Sequence, residues 1–211
     1  MTWVMANWME IVNLAWIHLQ LVIPTIVASV IIAFPIGRFA FNRPKIGGML
    51  LTASTLLYAI PALPLLVIIP ALVPVQLRSF LTMYIALTVY GVALMVRSVR
   101  DAFVSVDEQV RQAATAVGYS RRSMLWKVDL PLAIPVLIAG IRVVSVSTIA
   151  MATIGALVGI PSLGSLLTDG FQRGITGEVL AGIFSVMLLA LFIDVLLLFL
   201  ARVLTPWRKV L

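Results

Sequence analysis

Residues 111–144 read "RQAATAVGYSRRSMLWKVDLPLAIPVLIAGIRVV", and the stretch changes character at its centre. Up to Lys127 it is basic and helix-forming, whereas from Leu130 onward it is apolar except for Arg142. A polar segment that runs directly into a long apolar one marks where a chain leaves water for lipid. The rest of the sequence agrees. Of 211 residues, 62% are hydrophobic and 11% charged, and the mean hydropathy is +1.15; a soluble domain carries about 25% charged residues.

Crossing a hydrocarbon core about 30 Å thick takes roughly 20 mainly apolar residues. Runs of that length, bounded by charge or turn residues, fall at about 18–38, 49–70, 80–97, 131–157 and 179–203. They are rich in Leu, Ile, Val and Ala and lack the period-two alternation of barrel strands. The expected fold class is all-α, a polytopic transmembrane bundle of five spanning helices. Residues 1–18, "MTWVMANWMEIVNLAWIH", lack the basic start of a signal peptide and interleave Trp3, Trp8 and Trp16 with Glu10 and Asn13. Because Trp rings favour the headgroup level, residues 1–17 are expected to lie against membrane lipid as an interfacial segment, followed by the bundle at 18–204 and a cytoplasmic tail at 205–211. Cysteine is absent, which excludes disulfides and thiolate metal sites.

Charge distribution gives the orientation. With the N-terminus outside, the inner side collects twelve of the 15 Lys and Arg residues: Arg38, Arg43, Lys45, Arg97, Arg100, Arg111, Arg121, Arg122, Lys127, Arg202, Arg208 and Lys209. Only Arg78 and Arg173 fall outside, and Arg142 lies within a span. The positive-inside rule therefore selects N-out and C-in. The net charge of +7 reflects this orientation and not a nucleic-acid partner, since few stacking aromatics accompany the inner charges.

The opening stretch then lies in a cytoplasmic loop at about 98–130. Ser105 and Glu108 have the spacing of a capping box, and Val106, Val110, Ala113, Ala114 and Val117 recur on one face of the helix it would start. Gly118 stands where a helix ends in the left-handed conformation. Ser120 can cap a second short helix carrying Met124, Leu125 and Val128 before Leu130 and Pro131 open the fourth span. Two amphipathic helices at a bend must cover their apolar side with lipid, with their own bundle, or with a partner.

The spacing Gln112, Ala113, Ala114, three residues, Gly118, nine residues, Val128, one residue, Leu130, Pro131 resembles the cytoplasmic signature of the membrane-spanning subunits of bacterial ATP-binding cassette importers. That signature reads E-A-A, three residues, G, nine residues, I, one residue, L-P; here Gln replaces Glu and Val replaces Ile. The resemblance implies a coupling loop that docks on a separate ATPase subunit. It also implies a second permease subunit, identical or related, an extracytoplasmic substrate-binding protein, and a multi-pass location in the bacterial inner membrane. The segments "HLQLVIPTIVASVIIAFPIGRFA", "YAIPALPLLVIIPAL" and "IGALVGIPSLGSLL" are most similar to permeases for osmoprotectants such as glycine betaine, choline and carnitine. Permeases for methionine or another amino acid are the alternative.

Independently of family, no G-x-x-x-x-G-K-[ST] phosphate loop is present, and the relays of acidic and His residues common in proton-coupled carriers are missing. No catalytic residue, metal site or cofactor is expected. A self-contained carrier or channel, the rival class, would transport without an ATPase. In the fourth span, Ser145, Ser147, Thr148 and Thr153 offer hydroxyls for a translocation path, Pro61 in the second span is a candidate path edge, and Gly155 with Gly159 has G-x-x-x-G spacing for helix contact. Tyr58, Tyr84 and Tyr90 offer aromatic faces to a quaternary ammonium group. Arg142 lies roughly 16 Å along its span from Pro131 and Asp194 roughly 14 Å from Val203. Those depths allow an intramembrane ion pair. His18 stands alone and receives no role.

Overall fold

Backbone inside lipid has to satisfy its N–H and C=O groups within its own segment, and this chain does so with helices throughout. The computed structural model describes residues 2–207, which contain no strand. Arg208, Lys209 and the end of the expected tail lie outside the described residues. In chain order the helices are α1 (Thr2–Ala6), α2 (Trp8–Asn42), α3 (Pro44–Ala59), α4 (Ala62–Leu72), α5 (Phe80–Val104), α6 (Glu108–Ala116), α7 (Arg121–Met124), α8 (Leu130–Ala152), α9 (Gly164–Arg173) and α10 (Thr176–Leu204). A π-helical turn, Leu125–Asp129, joins α7 to α8, and a 3-10 turn, Thr153–Val158, follows α8.

Among the described residues, four helical stretches are long and apolar enough to span: Trp8–Asn42, Phe80–Val104, Arg121–Val158 and Thr176–Leu204. The second expected span, 49–70, is not one helix: α3 and α4 meet at 106°, and they make a fifth crossing only as a bent pair. The cause is local. Ile60 precedes Pro61 and is extended (φ −65°, ψ 127°), as the proline ring requires. α2 has 35 residues, so at 1.5 Å per residue it is about 52 Å long and its first turns, Trp8–Ile17, continue the first span without a break.

Breaks in the helical ladder explain two long-range hydrogen bonds. Pro24 has no N–H for the carbonyl of Gln20 four residues earlier, and the Tyr84 hydroxyl donates to that oxygen at 2.8 Å. The Ile60 carbonyl, extended at the break and outside the ladder of α4, has no helical N–H to accept from, and the Tyr90 hydroxyl donates to it. α5 thus supplies both freed acceptors with donors. Tyr84 and Tyr90 have structural tasks, and of the three expected aromatic faces Tyr58 is the exposed one, its ring edge-on to Tyr90 at 5.9 Å.

α5 is the central helix, packed on α2, α3, α4 and α8. One buried cluster at the Trp8 end joins Leu21, Leu66, Met83, Leu87, Tyr90 and Ile149, and another at the Asn42 end joins Ala33, Val96, Val99, Phe103, Ala133 and Leu137. Small residues set the spacing. A Cβ on Gly91 would lie 2.1 Å from Ser29 Oγ, so α2 and α5 approach to a distance that only glycine allows there. The expected G-x-x-x-G contact is not formed, because Gly155 sits in the 3-10 turn against Met83 of its own chain and Gly159 ends that turn at φ +82°. α9, which periodicity does not announce, then closes the Trp8 end by packing Leu163 and Leu166 on Leu14.

Gly91→Ala is predicted to lower the unfolding midpoint of the purified protein by the equivalent of about 1–3 kcal/mol, and adding Ser29→Gly should recover most of it. Gly48→Ala, where a new Cβ meets nothing within 4 Å, should change little. Equal midpoints for Gly91→Ala and the parent would contradict the α2–α5 contact.

Candidate functional site

α5 continues to Val104, and this displaces the start of the loop. Ser105 is the C-cap of α5 and its hydroxyl donates to Ala102 O, so it does not cap α6 as the S-x-x-E spacing suggested. Asp107 does, accepting from Gln109 N–H at 2.8 Å. Of the expected apolar face, Val106 turns into the bundle and is buried, and Ala114 is half-covered. Val110, Ala113 and Val117 remain exposed, Val117 by 79%. α6 therefore stands at the Asn42 end of the bundle with most of its apolar side uncovered.

Gly118 ends α6 at φ +93°, with its N–H on Thr115 O and the Tyr119 N–H on Ala114 O, both at 3.0 Å. An added Cβ there would meet nothing within 4 Å, so the constraint is backbone conformation and not space. Ser120 then caps α7 by accepting from Ser123 N–H. The expected second short helix is α7, but it is not separate from the fourth span: Arg121–Val158 is one helical stretch. Pro131 lacks an N–H and its ring crowds the carbonyl four residues back, and the ladder widens at this place, with Leu130 N–H reaching Leu125 O. Among the motif residues, Gln112, Ala113 and Gly118 are exposed on or beside α6, while Val128, Leu130 and Pro131 are half-buried where the rod enters the bundle.

Between these two groups lies a residue the motif skips. Asp129 is 2% exposed, and it accepts from Arg38 of α2 at 2.8 Å and from Arg111 of α6 at 2.7 Å. The two guanidinium groups lie over aromatic rings: Arg38 is 4.3 Å from the Phe103 centroid and 5.1 Å from that of Phe41, and Arg111 is 4.8 Å from Phe41. Arg111 also donates to Phe103 O and contacts Glu108 at 3.3 Å. A single carboxylate thus ties α2, α5, α6 and the base of α8 together. Removing one partner from a buried charge pair costs about 3–5 kcal/mol, so the joint is not lightly broken.

Within the spans, Arg142 of α8 donates to both carboxylate oxygens of Asp194 of α10, at 2.6 and 2.8 Å. The hydroxyls proposed for a path do not converge. Ser145 and Thr148 are buried within the chain, and the Ser145 hydroxyl donates to Ile141 O in its own helix. Thr153 donates to Ala150 O, Ser147 is half-buried, and Pro61 is exposed at the α3–α4 break. The cavity at that break, lined by Ala62, Leu66, Met83, Tyr90 and Met151, has a volume of about 10 Å³. His18, given no role from sequence, is fully buried and its ring joins three segments. Its Nδ1 accepts from Leu163 N–H at 3.3 Å, leaving Nε2 to donate to Ile149 O at 3.2 Å. Among the described residues no cluster of three His, Asp or Glu side chains has metal-site geometry.

Residues 26–210 match the family described as "Binding-protein-dependent transport system inner membrane component". The chain belongs to this family. This permease is 31% identical, over 92% of its length, to the osmoprotectant import permease protein OsmW of Salmonella typhimurium (strain LT2) and covers 91% of that relative. It is 26% identical, again over 92%, to the carnitine transport permease protein OpuCD of Listeria monocytogenes (strain 10403S), covering 86% of it. Identity is 34% over 75% of the chain to the ergothioneine transport permease/ergothioneine binding protein EgtU of Helicobacter pylori (strain G27), of which the chain spans 28%. Among solved structures, an inward-facing MetNI methionine ABC transporter aligns with a TM-score of 0.75 at 22% identity, covering 93% of this chain and 95% of that one. At that identity the likeness concerns the fold. The protein is thus a multi-pass inner-membrane permease of the ABC importer type.

In this permease the Arg142–Asp194 pair joins α8 to a helix along which, beyond Gly182, only Ile193 is buried. An unpaired charge at that depth is expensive, so α10 depends on the pair. Arg142→Leu and Asp194→Leu should each reduce the folded yield in membranes, and the double variant should recover part of it. Strictly additive losses in a quantified detergent-soluble fraction would contradict the coupling.

Proposed function

We propose that the permease forms, with a second permease subunit, the translocation path for a trimethylammonium osmoprotectant such as glycine betaine, choline or carnitine, driven by a separate ATPase that docks on α6. The observation that carries the docking reading is an amphipathic helix, fixed at its base by Asp129 and ended by a left-handed Gly118, whose apolar residues Val110 and Val117 find no cover in their own chain. Gln112, Ala113 and Ala114 are the contact residues of that dock. Val128, Leu130 and Pro131 carry its displacement into α8. The substrate class rests on the relatives named for osmoprotectants and carnitine, which the chain matches over more than nine-tenths of its length. Carnitine, choline, glycine betaine and ergothioneine share a trimethylammonium group, and Tyr58 is the exposed aromatic face for it.

Orientation follows from the same arrangement. α6 and the inner charges Arg38, Arg43, Lys45, Arg121 and Arg122 gather at the Asn42 end, which is assigned to the cytoplasm. α9 and the start of α10 face the side from which a binding protein would deliver solute. The uncovered apolar residues of α10, among them Leu188, Leu191, Phe192 and Phe199, are left for lipid or for the second subunit.

Two outcomes test this. First, Ala114→Glu puts a charge into the dock, and Gly118→Val strains the turn by roughly 1 kcal/mol and misaims α7. Both variants should insert at near-normal abundance, lose the ATPase on purification and lose uptake of radiolabelled glycine betaine, choline and carnitine, whereas Thr115→Ser keeps all three properties. An Ala114→Glu protein that retains ATPase and uptake would refute the dock. Second, in the cysteine-free background, Ser123→Cys should react only with reagent admitted to the cytoplasm and Phe171→Cys, at a site 83% exposed, from outside. The opposite labelling pattern would invert the topology.

A further inference from the structure

The Asp129 cluster has a geometry that docking alone does not need. A dock requires only the outer surface of α6, yet Arg111 leaves that helix on its inner side and spends its donors on Asp129 and on the carbonyl of Phe103. Arg38 approaches the same carboxylate from the end of α2, lying against Phe103, which itself stacks near Phe34 at 5.8 Å and Phe41 at 5.9 Å. The side chains of Asp129 and both arginines are largely shut off from water, at 2%, 18% and 13% exposure. Little screening reaches them, and the directional two-oxygen arrangement resists both sliding and rotation.

Backbone connection between α6 and the spans is, by contrast, weak. At one end Ser105 to Asp107 form a turn, and at the other Val117 to Ser120 hold together around a glycine with positive φ. The first is pinned to the bundle only by the buried Val106, and the second has no buried residue. Without the cluster α6 would swing on two soft hinges, and a push on it would be dissipated before it reached α2 or α8.

We propose that Asp129 is a positioning residue for transport: it makes α6, the end of α2 and the base of α8 one rigid body, so that movement of the docked ATPase enters two spanning helices at once. The proposal rests on the reading of α6 as the ATPase dock. It adds that the force leaves α6 through Arg111 to Asp129 and divides there, through Arg38 into α2 and through the π turn into α8. Arg111 and Arg38 are then not equivalent. Loss of Arg111 frees α6 from both helices, whereas loss of Arg38 leaves α6 on α8 and releases α2.

The chain has no cysteine, so two spin labels report the joint without a background. Labels at Thr115→Cys on α6 and Phe39→Cys on α2, in the complete complex in lipid nanodiscs, should give one narrow distance that is unchanged between the nucleotide-free state and the ATP-plus-vanadate state. Adding Arg111→Gln or Arg38→Gln should broaden that distribution while the ATPase still copurifies. The uptake of radiolabelled glycine betaine per ATP hydrolysed should fall by about tenfold or more with Arg111→Gln. A parent distance that shifts by several ångströms between the two states, or variants whose distributions stay narrow, would overturn the proposal. So would a fall in ATPase binding that alone accounts for the loss of uptake. A narrow distance in a parent chain that binds no ATPase would refute the dock and not the joint.

Discussion

A carboxylate withdrawn from water at the end of a membrane bundle must keep its cationic partners, and Asp129 has two of them on two different helices. That requirement fixes where α2 and α5 end relative to the start of α8, because Arg38, Phe103 and Asp129 have to meet. It also holds α6 off the end of the bundle with one side turned inward through Arg111 and the other left bare. The uncovered helix is therefore not a loose loop. It is a surface presented at a defined height and angle, as a docking element has to be.

Farther into the membrane the same logic operates with neutral groups. Pro24 and the α3–α4 break each leave a carbonyl without a helical donor, and Tyr84 and Tyr90 of α5 answer both. The sharp α3–α4 break is thus compatible with a lipid-embedded protein, since the acceptor it exposes is satisfied from a neighbouring helix. Close glycine–serine contact between α2 and α5 and the ion pair between α8 and α10 complete a bundle held by small-residue packing and a few strong polar links. Apolar burial separates little in lipid, so these specific contacts decide the arrangement.

Sequence reading reached the features that have a local or obligatory signature. Long apolar runs announce spans, Gly118 after a helical stretch announces the left-handed turn, and Ser120 announces a cap. Arg142 and Asp194 were paired because isolated charges at similar depth need each other. Features that depend on distant partners were not legible. Asp129 occupies the one unspecified position between Val128 and Leu130 in the motif, and its significance appears only when Arg38, 91 residues away in sequence, is brought beside it. Ser105 has the spacing of a cap for α6, but α5 continues to Val104 and leaves that place to Asp107. Pro61 stands in the second apolar run as a candidate path edge, but nothing in that run announces a bend of 106°. That Ser145 and Thr148 are buried within the chain is not legible either, because composition does not say which side of α8 faces its own chain.

These constraints support the proposed mechanical picture, in which the uncovered side of α6 is an interface and its inner side is a lever root. The most direct measurement is to place a photo-reactive amino acid at Val117, whose side chain is open in the single chain, and to irradiate native membranes containing the assembled transporter. The account predicts that the permease is captured as a covalent adduct with an ATPase subunit and that Asp107, on the α5 side of the helix, gives much less of it. Capture of lipid alone from Val117, with no ATPase adduct in membranes where the two subunits are both present, would contradict it.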